Sequence, residues 1–172
     1  VEVTVPDVTG LTFNRRGSII WGKNDSNPWE LTVFPTPMGA VLPDQIVWSV
    51  ENAEPGGESD VLSLPGQDKD ADGNVLDTYT GSPTVSLTSG KPGRVNVVAR
   101  YNGHEAKQEV EVSGIVLNAD SLSMQTGETK ALVVEKSYGH ARSGLDVDVS
   151  WSSSDPSTVT VSKNGELMAW KL

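Results

Sequence analysis

The sequence predicts an all-β chain of two tandem β-sandwiches, the second lacking its final hairpin. Three observations carry the prediction. Val149-Ser150-Trp151-Ser152 alternates as a strand, Ser153-Ser154-Asp155-Pro156 supplies a polar turn, and Thr158-Val159-Thr160-Val161-Ser162 alternates again before Asn164-Gly165. The same pattern occurs earlier, where Ile46-Val47-Trp48-Ser49-Val50 repeats the Val-x-Trp-Ser core and Val61-Leu62-Ser63-Leu64 stands where Val159 to Ser162 stands in the later copy. Finally, Arg94 to Tyr101 and His104 to Val112 flank Asn102-Gly103, a dipeptide suited to a two-residue turn because both positions take positive φ.

The elements follow in chain order. Val1 to Val5 alternates and is cut by Pro6, so residues 1–7 read as a linker or lead-in strand. Unit one then spans 8–113. Val8 to Phe13 is its first strand, answered in unit two by Leu117 to Met124. Gly17 to Trp29 is rich in turn residues and reads as a loop insertion. Trp29 to Phe34 is the next strand, ended by Pro35 and Pro37, with Ala131 to Glu135 as its counterpart. After the Trp48 strand, Pro65 to Ser82 reads as a second insertion, in the place that Asn164-Gly165 occupies in unit two as a two-residue turn.

The Asn102-Gly103 turn fixes a register. It sets Tyr101 against His104, Ala99 against Ala106, Val97 against Gln108 and Val95 against Val110 on the inner face. On the other face it pairs Arg100 with Glu105, Val98 with Lys107 and Arg94 with Glu111. Two opposite-charge pairs emerge, each contributing about 0.2–1 kcal/mol. A slip by one residue would turn the valines to solvent.

Ser113-Gly114 marks the boundary, and the short link predicts units set end to end with limited swing. Unit two spans 114–172. Nothing in it matches Gly90 to Val112, so Val159, Val161, Met168 and Trp170 lose their cover. The plainer reading is a longer protein cut short, in keeping with a first residue that is Val rather than Met; the sharper one is a strand donated by another chain.

Trp-Ser-Ser-Ser-Asp-Pro at 151–156 and Val-Thr-Val-Ser-Lys-Asn-Gly at 159–165 resemble the bacterial immunoglobulin-like domain of group 2. Ile115-Val116-Leu117, Leu122-Ser123-Met124 and Gly127-Glu128-Thr129 fit it too. The match is good over 114–169 and looser over 8–112. The resemblance implies two tandem immunoglobulin-like β-sandwiches and a non-enzymatic spacer or adhesion module of a bacterial cell-surface or secreted protein. Its partners would be neighbouring Ig-like domains of the parent protein. The alternative is a module that recognises glycan or host protein through the unit-one insertions.

Composition narrows the chemistry. A net charge of −10 repels nucleic acid and anionic lipid, and the chain has no cysteine for disulfide or thiolate chemistry. No apolar run reaches the roughly 20 residues of a membrane helix, so no direct membrane insertion is expected. The two histidines, His104 and His140, sit beside turn glycines, and no Gly-x-Ser-x-Gly elbow is present.

Asp68-x-Asp70-x-Asp72-Gly73 opens like a calcium loop, with oxygen ligands at alternate positions and a glycine at the sixth. Its twelfth position is Tyr79 rather than a bidentate Glu, so the competing reading is a solvated acidic turn. Calcium is the one cofactor the sequence offers. Of the five tryptophans, Trp48, Trp151 and Trp170 fall on strands and read as core. Trp21 and Trp29 flank an insertion, where an exposed indole could stack on a sugar, against the alternative of a loop packed over the sandwich.

Overall fold

The computed structural model describes residues 4–14, 18–20, 29–55, 59–139 and 149–171. They form two compact units, Val1–Gly114 and Ile115–Leu172, both built from strands.

In the first unit the strands are β1 (Gly10–Phe13), β2 (Ser18–Ile20), β3 (Trp29–Thr36), β4 (Ile46–Asn52), β5 (Leu62–Ser63), β6 (Thr78–Gly81), β7 (Thr84–Ser89), β8 (Gly93–Tyr101) and β9 (His104–Val112). A 3-10 turn at Ser59–Val61 leads into β5. One sheet has the order β1-β3-β7-β5 and the other β2-β9-β8-β4-β6. Alternate residues of both point inward: Leu31, Val33, Val85 and Leu87 from the first meet Ile46, Trp48, Val95, Val97 and Val110 from the second in a single buried cluster. Trp48 is fully buried, its ring 6.0 Å from that of Phe13, and its indole N–H donates to the Ser82 carbonyl at 3.0 Å. A buried indole N–H usually finds such a partner, because leaving it unpaired costs its desolvation.

The β8–β9 hairpin has the register its sequence dictates, from Tyr101↔His104 through Val97↔Gln108 to Arg94↔Glu111. Asn102 and Gly103 have φ of 47° and 76°, the left-handed pair of a type I′ turn, whose twist suits the flanking strands.

Three sequence expectations change in this unit. β3 does not stop before Pro35 but runs through it to Thr36. Only residues 29–32 of β3 pair with β7, whereas 33–36 pair with β1, so the missing amide of Pro35 falls beyond the β7 pairing, where no ladder bond is lost. The insertion after Gly17 supplies β2, which pairs in parallel with β9. The Pro65 to Ser82 insertion supplies β6, which pairs with the Trp48 strand. Neither strand announces itself by alternation, and both are held by neighbours from distant parts of the chain.

The second unit holds β10 (Gly114–Leu117), β11 (Thr129–Ala131), β12 (Val134–Tyr138), β13 (Val159–Val161) and β14 (Glu166–Ala169). Its three-stranded sheet has the order β11-β14-β13. That is the order β3-β7-β5 of the first unit, with strands from corresponding stretches, so the internal echo in the sequence is also an echo in topology. The first strand lies at 114–117 rather than 117–124. The counterpart of β3 is broken at Leu132-Val133 into β11 and β12. Asn118 spans the break: its side-chain amide donates to the Ala131 carbonyl at 3.1 Å, and its oxygen accepts from the Val133 amide at 2.9 Å.

The Asn164-Gly165 turn is a three-residue loop rather than a two-residue one, since Val161 pairs with Leu167 and the Ser162 amide donates to the Glu166 carbonyl. Gly165 takes φ of 81° and the rest of the loop stays right-handed, the arrangement of a type I turn closed by a left-handed glycine. Trp151 lies against Gly165, half-buried, with its ring 3.2 Å from where a Cβ would project.

The Trp151 stretch is not a strand. In the first unit the equivalent β4 is hydrogen-bonded along its length to β8, and among the described residues of the second unit nothing takes the place of β8. Trp170, expected in the core, is 57% exposed, with its indole N–H on the Thr160 hydroxyl at 3.0 Å. Among the described residues of this unit Ala169 is the single fully buried apolar side chain.

Candidate functional site

The Asp68 segment folds as a small hairpin standing beside β6. Lys69 bridges Val75, the Asp70 amide donates to the Asn74 carbonyl at 3.0 Å, and the Leu76 amide donates to the Asp68 carbonyl at 2.9 Å. Gly73, at φ 86°, makes the turn at the tip.

The three aspartates have different surroundings. Asp70 faces its own turn: its Oδ1 accepts the amides of Asp72 at 2.9 Å and Asn74 at 2.8 Å, and its Oδ2 accepts the Asn74 side-chain amide at 2.8 Å. Those bonds, the Asn74 side chain foremost, hold its carboxyl below the usual carboxylate range. Asp68 faces β6 instead. Its Oδ1 accepts the Thr80 amide at 3.0 Å, and its Oδ2 accepts the hydroxyls of Thr78 at 3.0 Å and Thr80 at 2.8 Å. Desolvation raises its pKa, but the bonds from Thr80 and Thr78 outweigh that and leave it lowered. Asp72 is exposed. The two bonded carboxylates therefore serve the loop and the strand beside it. Among the described residues no three carboxylates or imidazoles stand where they could hold one metal ion.

Of the tryptophan pair, Trp21 lies outside the described residues. Trp29 opens β3 opposite Leu87, half-buried and packed against the core. It supports the sandwich at that point. Of the histidines, His104 sits at the hairpin turn and His140 lies outside the described residues.

A shallow groove of about 510 Å³ opens between β4, β5 and the Asp68 segment. Ser63, Gln67, Asp60 and Asp77 give it a polar, acidic lining over a floor of Val50 and Leu62. Lys91 reaches the Asp60 carboxylate at 2.7 Å. The outer face of β4, β8 and β9 carries a different pattern, a lattice of paired charges. Arg100 contacts Glu51 at 2.8 Å, Glu105 at 2.8 Å and the Ser49 hydroxyl at 3.0 Å, while Lys107 reaches Glu51 at 3.1 Å and Arg94 pairs with Glu111. The side-chain bonds from Arg100 and Lys107 lower the Glu51 pKa. Such exposed pairs are each worth about 0–1 kcal/mol to stability.

Thr78, Thr80 and Asn74 are the polar partners that sequence reasoning missed. Asn74, four residues after Asp70, carries a recognisable turn signal. The threonines gave none, because their role depends on β6 lying beside Asp68.

Comparison with known families places residues 111–171 in a match to the bacterial Ig-like domain, group 2. The match covers the second unit with the last residues of the first. No curated protein matches the chain.

Proposed function

We propose that this chain is a non-enzymatic structural or adhesion module of a bacterial cell-surface or secreted protein, acting as a spacer that carries other domains. The observation that carries this reading is the group 2 Ig-like match over residues 111–171, a domain type found in extracellular and surface proteins of bacteria and typically non-catalytic. Two features support it. The sequence echo and the repeated sheet order β11-β14-β13 fit a chain built by repetition of one sandwich. Among the described residues of the first unit, the polar side chains of the Arg100 lattice and the Asp68 segment bond to one another and to the strands beside them. The partners on this reading are neighbouring Ig-like domains of the parent protein.

A second reading, recognition of glycan or host protein by the first unit, draws on the groove lined by Asp77, Gln67 and Ser63. Calcium at Asp68, Asp70 and Asp72 would belong to this reading, and the hydrogen bonds already made by Asp68 and Asp70 weigh against it. Binding of the intact protein to a panel of glycans and host-surface proteins, with and without calcium, separates the two. The spacer reading expects no saturable binding. Saturable binding lost in Gln67→Ala or Asp77→Ala variants that still fold would overturn it in favour of recognition.

A further inference from the structure

The last strand of the five-stranded sheet, β6, has β4 on one side and, among the described residues, no strand on the other. An open strand edge presents alternating amide and carbonyl groups that template pairing with another chain. Its residues Thr78, Tyr79, Thr80 and Gly81 carry no charge to deter such pairing. In an antiparallel pair successive residues direct their main-chain groups alternately toward and away from the partner. Thr78 and Thr80 direct their main-chain groups outward, and one residue occupies two of them, the Thr78 carbonyl and the Thr80 amide. The Asp68 amide donates to the Thr78 carbonyl at 2.7 Å, and the Asp68 carboxylate accepts the Thr80 amide at 3.0 Å.

We infer that Asp68 is an edge guard, a residue whose carboxylate takes the place of a strand carbonyl along β6 and so keeps this edge from pairing with a second copy of the chain. A parallel neighbouring strand would satisfy the same two groups with the amide and carbonyl of one residue. Asp68 supplies the amide from its backbone and the acceptor from its side chain, while its own carbonyl turns back to accept from Leu76 at 2.9 Å. Side-chain bonds from the Thr78 and Thr80 hydroxyls hold the carboxylate against the strand. Asp70 then fixes the tip of the hairpin on which Asp68 stands, through its three bonds to Asp72 and Asn74. The Asp-x-Asp spacing thus divides two tasks, one carboxylate holding the turn and the other closing the edge.

The test is sedimentation velocity of the full chain over a range of concentrations, with far-UV circular dichroism on each variant. Asp68→Ala is expected to self-associate at least tenfold more tightly than the parent chain while keeping its β spectrum. Asp68→Asn, which retains the acceptor oxygen for Thr80, is expected to sediment like the parent. Adding Thr80→Pro to Asp68→Ala removes the outward amide that a new strand would need, and is expected to restore the parent's behaviour. An Asp68→Ala chain that only loses thermal stability, without added association, would overturn the proposal and leave the carboxylate as a loop staple. Association that persists with Thr80→Pro would overturn it too, because the contact would then lie elsewhere.

Discussion

Arg100 on β8 and Glu51 on β4 meet at 2.8 Å, guanidinium Nη2 to carboxylate Oε1, and the same arginine reaches Glu105 on β9. One side chain thereby ties three strands on the outer face of the sheet. The pairing of β4 with β8 that brings Val47 opposite Arg100 makes this geometry possible, and no local sequence pattern contains it.

Glu51→Gln should cost about 0.2–1 kcal/mol, because its partners are partly exposed and screened by solvent. The pH dependence has a definite sign. The Glu51 pKa is lowered by its bonds to Arg100 and Lys107, so its contribution is complete above the usual carboxylate range and is lost as pH falls through the lowered value. Urea midpoints compared at about pH 7 and about pH 3 should therefore fall less in Glu51→Gln than in the parent.

Trp48→Ala should destabilise the first unit by about 3–5 kcal/mol, since it empties a fully buried site and strands the Ser82 carbonyl. Trp170→Ala, at a side chain 57% exposed, should change stability by less than about 1 kcal/mol. Thermal melts of the two variants read the contrast directly. An equal loss in both would mean that Trp170 is covered in solution.

Gly103→Ala should cost about 1–2 kcal/mol through backbone conformation alone. Gly103 holds φ of 76° and nothing lies within 4 Å of the added carbon, so no steric clash contributes. Chemical denaturation should show a shifted midpoint with an unchanged slope.

Amide hydrogen exchange should divide the chain. Amides of β8 and β9 lie over the buried cluster, whereas β13 and β14 flank a unit in which Ala169 alone among the described apolar residues is fully buried. Exchange in β13 and β14 is expected to be faster by more than about a hundredfold. Comparable protection in both would show that the second unit is closed over by something other than its own described strands.

What was legible in the sequence was whatever depends on neighbours along the chain. Asn102-Gly103 set the turn, the turn set the register, and alternation set which side of β8 and β9 is buried, so Ala99↔Ala106 and Arg94↔Glu111 follow from sequence alone. The echo of Val61 to Leu64 in Val159 to Ser162 was equally local, and the strands β5 and β13 hold the same edge place in their sheets, whereas the Trp151 stretch does not repeat the Trp48 strand. Tertiary structure decided what depends on distant partners. β6 is a strand because β4 offers it an edge, Pro35 is tolerated because β7 has already ended, and the Trp151 stretch is not a strand where, among the described residues, no strand lies beside it. Asp68 shows the difference most plainly: its spacing to Asp70 and Asp72 reads as a cation loop, yet its carboxylate lies on Thr78 and Thr80. Spacing fixes which oxygens could converge, but the hydrogen-bond donors that reach a carboxylate are set by the fold, and a carboxylate goes where its donors are.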